Sequence, residues 1–275
     1  MVNLDGFKRN KKNTGYFMKR FLVSVLQYDV RSESIQNFKT LEKLFAVAGG
    51  RKSKFVVLPE MFASSFNYEE FEEFSKNSIE IIRFLQNIAT KYNFYIVAGS
   101  LPIKNNRGDG YFNRSYLISS EGGVAGYYDK NHIFFQQNED KHFCAGDKNP
   151  VFNTFFAPIG IQICFDIRFP ENIREMVKKG IQILFVPAQF PSPRKEHWIN
   201  LLKSRAIENQ IYVVGANRIG KVNDELSYFG NSVIIDPYGD TLANGYEKEG
   251  VISEYIDLEF LEAYRKSFPV LKWLK

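Results

Sequence analysis

The chain has 275 residues, 44% of them apolar and 16% aromatic, which is enough to bury a large core and excludes disorder over most of its length. Its formal charge is +5, but residues 1 to 20 hold six of the 36 Lys and Arg residues and one of the 31 acids, so the body is neutral and gives no basic face for nucleic acid. No apolar run is long enough to span a membrane and no secretory signal is recognisable, so we expect a cytoplasmic protein without nucleic-acid or membrane partners.

The N-terminal segment is polar and basic and shows no periodicity. We predict that residues 1–17 form a disordered arm, although a tail that binds nucleic acid or a membrane surface would have a similar composition. Translation starting at Met18 is an alternative, because this residue leads directly into the first strand pattern. We expect both cysteines to be thiols, because two are too few for a disulfide framework.

The first half of the chain alternates strand and helix patterns without a linker or repeat. The predicted elements are a strand at 20–27, a helix at 35–48, a strand at 54–60, a helix at 79–89, a strand at 94–103, and two strands at 115–119 and 124–130. The letters "SEGG" between the last two strands are typical of a hairpin turn.

The second half continues the alternation and closes with strands. The predicted elements are a strand at 159–164, a helix at 170–179, a strand at 181–190, a helix at 195–210, and strands at 211–217, 231–236, 241–245 and 250–257. Apolar strands such as "FVVLP" and "ILFVP" show little alternation, which predicts helices outside a buried sheet or pair of sheets. The fold class is therefore α/β.

Three chemically distinct side chains lie at the carboxyl ends of predicted strands, where α/β folds place their ligands: Glu60, Lys130 and Cys164. Each has a structural alternative, as a helix-capping acid, a solvated lysine and a small buried hydrophobic residue. The turn from strand to helix after Cys164 would expose the thiol, and a helix N-terminus with a nearby cation would lower its pKa. A thiol that attacks a carbonyl needs a general base and a positive group for the oxyanion, so the three types together predict an active site.

Three segments carry a family resemblance, "LPEMF" with Glu60, "YDKNHIF" with Lys130 and "CFDIRFPE" with Cys164. In this order they resemble the three signature segments of the nitrilase superfamily of carbon–nitrogen hydrolases. The resemblance implies a four-layer α-β-β-α sandwich, with residues 18–275 as a single hydrolase domain. It also implies a homodimer that forms through helices next to the cysteine strand, and a reaction without metal or organic cofactor.

The resemblance also implies roles for individual residues. Cys164 would be the nucleophile, Glu60 the general base and later acid, and Lys130 a stabiliser of the tetrahedral intermediate, with the backbone N–H of Phe165 as a second oxyanion donor. Glu139 matches a second glutamate of the family that would orient the lysine, and its alternative is a surface acid of a loop. The implied substrate is a small-molecule amide, which is cleaved through a thioester with release of ammonia.

The segments "KNHIFFQQNEDKHFCAG", "PSPRKEHW" and "RAIENQIYVVGANRIG" resemble the ω-amidase branch, which hydrolyses the terminal amide of short α-keto acid amides such as 2-oxoglutaramate. This resemblance implies that Phe135 and Trp198 lie close to the substrate, although a tryptophan near a helix start is usually a core or interface residue. A dianionic keto acid also needs a cation or N–H donors. By position the candidates are Arg194, Arg168 and Lys195.

Other functions receive less support from the sequence. An N-carbamoyl amidohydrolase or a nitrilase of the same superfamily is an alternative, whereas a non-catalytic scaffold is opposed by the presence of nucleophile, base and lysine. The nucleotide-binding and serine-hydrolase motifs are missing. We predict no metal site, because His132, His142 and His197 lie on separate segments without metal-ligand spacing.

Overall fold

The computed structural model describes residues 19–31, 34–106 and 108–274. The predicted arm and Met18 lie outside the described residues, so the interpretation of residues 1–17 stays a prediction. Within those ranges, no helix combines the length and the hydropathy that a bilayer crossing requires.

The secondary structure alternates strands and helices as the sequence predicts. The strands of the described residues are β1 Arg20–Gln27, β2 Phe55–Val57, β3 Tyr95–Val97, β4 Leu101–Lys104, β5 Tyr111–Ile118, β6 Val124–Asp129, β7 Phe143–Cys144, β8 Phe152–Asn153, β9 Pro158–Ile161, β10 Ile183–Ala188, β11 Tyr212–Asn217, β12 Ile219–Lys221, β13 Ser227–Phe229, β14 Val233–Ile235, β15 Thr241–Asn244 and β16 Gly250–Asp257. The α-helices are α1 Ser34–Gly50, α2 Phe71–Lys76, α3 Ser78–Tyr92, α4 Glu139–His142, α5 Pro170–Lys178, α6 Lys195–Asn209 and α7 Leu258–Ser267.

Most strands belong to two sheets. The first sheet has eight strands along the path β16-β1-β2-β3-β5-β4, with β6 and β7 also paired to β5. The second sheet has six strands in the order β15-β14-β11-β10-β9-β8. In each sheet the central strands run parallel, so their carboxyl ends lie at one edge of the sheet, where side chains from several strands can converge.

The two sheets pack face to face through an apolar layer. Phe55 and Val57 of β2 belong to this layer, whereas Val56 belongs to the cluster on the opposite face, as the two-residue period of a strand requires. The rings of Phe55 and Phe185 lie 5.4 Å apart between the sheets. Both faces of each sheet are therefore covered, as the non-alternating strands predict.

Helices form the two outer layers. Helices α1 and α3 cover the first sheet, with side chains such as Leu41 and Leu85 in its outer apolar cluster. Helices α5 and α6 cover the second sheet through Ile173, Met176 and Trp198. The order of layers is α-β-β-α, so the predicted sandwich is confirmed.

Two local predictions were wrong, and several short elements were not predicted. The strand predicted at 94–103 is divided into β3 and β4, because Gly99 between them has a φ of +44° and a Cβ there would lie 2.0 Å from the carbonyl oxygen of Pro59. The strand predicted at 159–164 ends at Ile161, so Cys164 lies beyond it in a 3₁₀ turn. Short elements such as α2 and the β12–β13 hairpin were not predicted, because a few residues carry too little periodicity.

Candidate active site

Residues from both sheets meet at the carboxyl ends of the strands. Glu60 follows β2 and Lys130 follows β6, so the acid and the lysine belong to the first sheet. Cys164 follows β9 of the second sheet. The arrangement of the two sheets therefore determines how the thiol lies relative to the acid and the lysine.

Lys130 is the centre of a buried charged cluster. Its Nζ donates to Oε1 of Glu60 at 2.9 Å and to the two carboxylate oxygens of Glu139 at 2.9 and 2.8 Å. Glu60 and Lys130 are 0% exposed, and Glu139 is 1% exposed. Burial excludes the alternative that Glu139 is a surface acid, and the backbone N–H of Phe134 holds its carboxylate at 3.1 Å.

The two carboxylates keep the lysine charged. Burial by itself would lower the pKa of Lys130, but the charges of Glu139 and Glu60 outweigh burial and hold this pKa well above its usual range. Burial raises the pKa of Glu139 to about 7, although Lys130 acts against this rise. At neutral pH the cluster therefore contains a protonated lysine beside a carboxyl that is close to its own titration midpoint.

Cys164 occupies a strained turn at the end of the second sheet. Its φ is +49°, in the left-handed region that residues with a side chain seldom adopt. The buried carboxylate of Asp166 braces the turn, because it accepts the N–H of Ile163 at 3.0 Å and the N–H of His132 at 2.9 Å. This brace connects the cysteine turn to the loop that follows Lys130.

The expected lowering of the cysteine pKa was wrong. Burial raises the pKa of the Cys164 thiol well above its usual range, and the carboxylates of Glu60 and Glu139 act in the same direction, whereas Lys130 opposes them. Cys164 is only 6% exposed, and the Glu60 carboxylate lies close enough to favour the protonated form of its thiol. The resting residue is therefore a neutral thiol that needs a base to remove its proton.

Two polar contacts of Glu60 were missed in the sequence. Asn113 donates its amide to Oε1 at 2.8 Å, and the backbone N–H of Gln189 donates to Oε2 at 3.0 Å. The available signal was a polar residue inside β5 and another at the end of the apolar strand β10, but a single sequence does not reveal which buried partner such residues have.

The predicted aromatic residues have different environments. The ring of Phe165, directly after Cys164, lies 5.0 Å from the ring of Phe134, whereas the side chain of Phe135 is 62% exposed. Trp198 is 0% exposed, and its indole N–H donates to the backbone carbonyl of Asn231 at 2.8 Å. Trp198 therefore packs in the core of the second sheet, and its position beside the substrate stays a prediction.

Two of the three candidate cations have no acidic partner among the described residues. Lys195 pairs with Glu247 at 3.0 Å, but among the described residues neither Arg168 nor Arg194 forms an ion pair. The guanidinium of Arg194 lies 5.5 Å from the ring centre of Phe134. Burial and the positive charge of Arg194 lower the pKa of Arg168, and its proximity to Cys164 acts in the opposite direction. Within the described residues, Arg168 and its neighbour Arg194 therefore provide positive charge that no carboxylate neutralises.

Comparison with known proteins gives consistent results. The carbon–nitrogen hydrolase family model matches residues 22–266. The 2-oxoglutaramate amidase of Bacillus subtilis (strain 168) is 34% identical over 253 residues, which cover 91% of this chain and 96% of that protein. The deaminated glutathione amidase of Synechocystis sp. (strain PCC 6803 / GT-S) is 33% identical over 268 residues, which cover 93% of this chain and 98% of that protein.

Structural comparison indicates the same family as the sequence comparisons. The crystal structure of Saccharomyces cerevisiae Nit3, described as a member of branch 10 of the nitrilase superfamily, superposes with a TM-score of 0.85 at 26% identity and covers 95% of this chain and 99% of that one. The family model covers nearly all of the two sheets and includes Glu60, Lys130 and Cys164. This chain therefore belongs to the carbon–nitrogen hydrolase family, as its three signature segments predict.

Proposed function

We propose that this protein is a thiol amidohydrolase that removes the terminal amide of a short α-keto acid such as 2-oxoglutaramate and releases ammonia. Amide hydrolysis follows from the family and from the named amidases that the chain resembles. The observation that carries the mechanism is that a neutral buried thiol lies near a carboxylate that also binds a charged lysine.

The first half of the reaction forms a thioester. Glu60 accepts the proton of Cys164 while the sulfur attacks the amide carbon, and Lys130 with the N–H of Phe165 stabilises the oxyanion. Glu60 then returns the proton to the amide nitrogen, the C–N bond breaks, and ammonia leaves. The pKa of the thiol supports this order, because a neutral nucleophile requires a base in contact with it.

The second half releases the acid. Water attacks the thioester carbon while Glu60 accepts a proton from it, the C–S bond breaks, and the proton returns to the sulfur of Cys164. Among the residues that the structure describes, Oε1 of Glu60 accepts bonds from Lys130 and Asn113, whereas Oε2 accepts one bond, from the backbone N–H of Gln189. We therefore assign the proton transfers to Oε2, which has the larger remaining capacity to accept a hydrogen bond.

The arginine pair supports an anionic substrate. A keto acid amide carries a carboxylate at the end opposite to the amide, and a guanidinium can bind a carboxylate through two parallel hydrogen bonds. Arg168 lies near Cys164 and near Arg194, and no ion pair is found for either arginine within the described residues. Phe135 would line the same pocket, as the resemblance implies, and Phe165 would contribute its backbone N–H to the oxyanion.

The test is ammonia release from 2-oxoglutaramate by the wild-type enzyme and by Cys164→Ala. The wild type should turn over the keto amide, and the variant should lose turnover by on the order of a thousandfold or more while retaining its thermal unfolding temperature, because the covalent step is removed and the core is not. Cys144→Ser is the matched control and should keep full activity, since Cys144 lies outside the cluster.

The substrate panel separates the possible assignments. Deaminated glutathione, succinamate, glutamine, a neutral aliphatic amide, an N-carbamoyl amino acid and a nitrile would be compared by kcat/KM. Preference for deaminated glutathione would replace 2-oxoglutaramate as the proposed substrate. Preference for the N-carbamoyl amino acid or the nitrile would contradict the amidase assignment. Equal rates with neutral and anionic amides would contradict the role of the arginine pair.

We also propose a homodimer that acts in the cytoplasm. The outer surface near α6 carries exposed apolar side chains, with Ile207, Tyr238 and Phe268 at 50%, 48% and 59% exposure. Gly239 lies against Ile207, and the ring of Tyr264 lies between Tyr238 and Phe268, so the three belong to one patch, which we call the α6 patch. A second copy of the chain would cover it.

A further inference from the structure

The two parts of the active site belong to different sheets. Glu60 follows β2 of the first sheet, whereas Cys164 follows β9 of the second. The separation of thiol and carboxylate therefore depends on how the sheets lie against each other at this end. A displacement of about 1 Å between reacting groups can lower a rate on the order of a hundredfold. A side chain that connects the sheets at Glu60 would accordingly control the reaction geometry.

Gln189 makes such a connection. It follows β10 of the second sheet and is 1% exposed. Its side-chain Nε2 donates to the backbone carbonyl of Glu60 at 2.8 Å, and its backbone N–H donates to Oε2 of the same residue at 3.0 Å. Met61, the residue after Glu60, has a φ of +47°. The hydrogen bond from Nε2 of Gln189 therefore reaches the main chain of Glu60 at a strained turn. Gln189 therefore holds both the carboxylate and the main chain of Glu60.

Arg218 fixes the orientation of the Gln189 amide. Its Nη1 donates to Oε1 of Gln189 at 3.2 Å, and Ser65 donates its hydroxyl to the same oxygen at 3.2 Å. A reversed amide would direct its NH₂ group toward these donors, so only one orientation satisfies the network. Arg218 follows β11 and is itself held by Asp29, which follows β1 of the first sheet, through an ion pair of 2.7 Å.

We infer that Gln189, held by Arg218, is a positioning residue that keeps the Glu60 carboxylate of one sheet against the Cys164 thiol of the other. The inference rests on the proposed role of Glu60 as general base. Gln189 has almost no exposed surface, and both Oε1 and Nε2 of its side-chain amide already bind other residues of the protein. It therefore acts through Glu60 rather than on the substrate. Its loss should therefore lower kcat and leave KM nearly unchanged.

The test compares Gln189→Met with Gln27→Met. Methionine preserves the volume of the side chain and removes its hydrogen bonds. Gln27 is also buried and also connects the sheets, through the N–H of Ser232 and the carbonyl of Gly245, but it does not touch Glu60. We expect Gln189→Met to lower kcat on the order of tenfold to a hundredfold with KM within about twofold, and Gln27→Met to retain kcat.

Two further variants test the route through Arg218. Arg218→Lys keeps the charge beside Asp29, but a single amine cannot replace the several bonds of the guanidinium, so kcat should still fall. The double variant of Gln189→Met and Arg218→Lys should lose less than the product of the two single losses, because both changes act through one contact. All rates are measured with the amide that the wild type hydrolyses fastest, so the test is independent of the physiological substrate.

The outcomes are distinguishable with Glu60→Gln as reference. Full turnover by Glu60→Gln would reject the proposed base and the inference together. An inactive Glu60→Gln with unchanged kcat in Gln189→Met would reject the inference alone, as would an equal loss in Gln27→Met or a loss expressed mainly in KM. If Gln189→Met does not fold, Gln189→Ala and Arg218→Lys decide by the same criteria, because each removes the amide network without adding volume.

Discussion

At the scale of single residues, the site depends on charges that have been removed from water. Burying a carboxylate or an ammonium group costs free energy unless the group has a partner of opposite charge. Here Lys130 forms ion pairs with both Glu60 and Glu139. The three groups therefore depend on one another, and a change in one alters the environment of the other two. Glu139 is the member whose protonation falls in the physiological range, because burial raises its pKa to about 7.

We expect kcat/KM to rise with pH through about 7 in the wild type. Above this pH Glu139 is ionised and accepts two bonds from Lys130, and below it the carboxyl gains a proton and loses one of those acceptor positions. Glu139→Gln has a single acceptor oxygen at all pH values, so it should lose this pH dependence and on the order of tenfold in rate. The measurement is kcat/KM against pH.

The control for this prediction is Glu121→Gln, which neutralises an exposed acid and should leave the pH profile unchanged. If Glu139→Gln keeps the same rise near neutrality, another group is responsible for it. The pKa of the Cys164 thiol is held well above its usual range, so the thiol itself is not expected to produce this rise.

At the scale of elements, both reacting groups sit at turns with unusual backbone geometry. Cys164 has a φ of +49°, and Met61, directly after Glu60, has a φ of +47°. Positive φ values allow a chain to leave a strand abruptly and direct a side chain across the end of the sheet. The turn at Glu60 is braced from the neighbouring loop, where Ser100 accepts the N–H of Met61 at 2.9 Å and Gly99 approaches Pro59.

Gly99→Ala should disturb the turn that carries Glu60. A Cβ at this position would lie 2.0 Å from the carbonyl oxygen of Pro59, and the φ of +44° is itself unfavourable for alanine. We expect a loss of roughly 2 to 4 kcal/mol in the free energy of unfolding, from strain and overpacking, and a reduced kcat. Urea denaturation measures the first effect and amide hydrolysis the second.

Gly50→Ala is the matched control for that change. Gly50 ends α1, and a Cβ there meets no atom within 4 Å. This substitution should change the free energy of unfolding by less than about 1 kcal/mol and leave kcat unaltered. Equal stability of the two variants would show that the loop at Gly99 moves without resistance, contrary to its proposed bracing role.

At the scale of the whole molecule, four layers place the site at one edge of two sheets and leave an apolar patch on an outer layer. Helices α1 and α3 form one outer layer, and helices α5 and α6 form the other. The α6 patch lies on the same side of the molecule as the helix that follows the cysteine turn. A dimer formed there would add rigidity behind the sheet that carries the nucleophile.

Charged substitutions in the α6 patch should therefore dissociate the proposed dimer. Replacing Ile207 and Phe268 by lysine together introduces two charges into a surface that would otherwise be desolvated, and the protein should elute as a monomer in size-exclusion chromatography with light scattering over a dilution series. Ile79→Lys is the control, because Ile79 is 60% exposed on α3 of the opposite outer layer. A dimer that survives the double substitution would place the interface elsewhere.

The sequence by itself determined the order of most elements, the layered α/β class and the family. Strand and helix patterns depend on neighbouring residues in the chain, and signature segments keep Glu60, Lys130 and Cys164 recognisable without knowledge of distances. The prediction of Glu139 as the partner of the lysine also came from a short segment that the family shares. The break at Gly99 was missed, because it depends on the approach of Pro59 from another segment.

Only the tertiary structure decided which groups share an environment. The raised pKa of Cys164, the core position of Trp198, and the contacts of Asn113 and Gln189 with Glu60 all depend on residues distant in the chain. Desolvation and hydrogen bonding are properties of three-dimensional packing, and a local pattern does not report them. For the same reason the sequence names a base and a nucleophile, while the packing of two sheets determines how they meet.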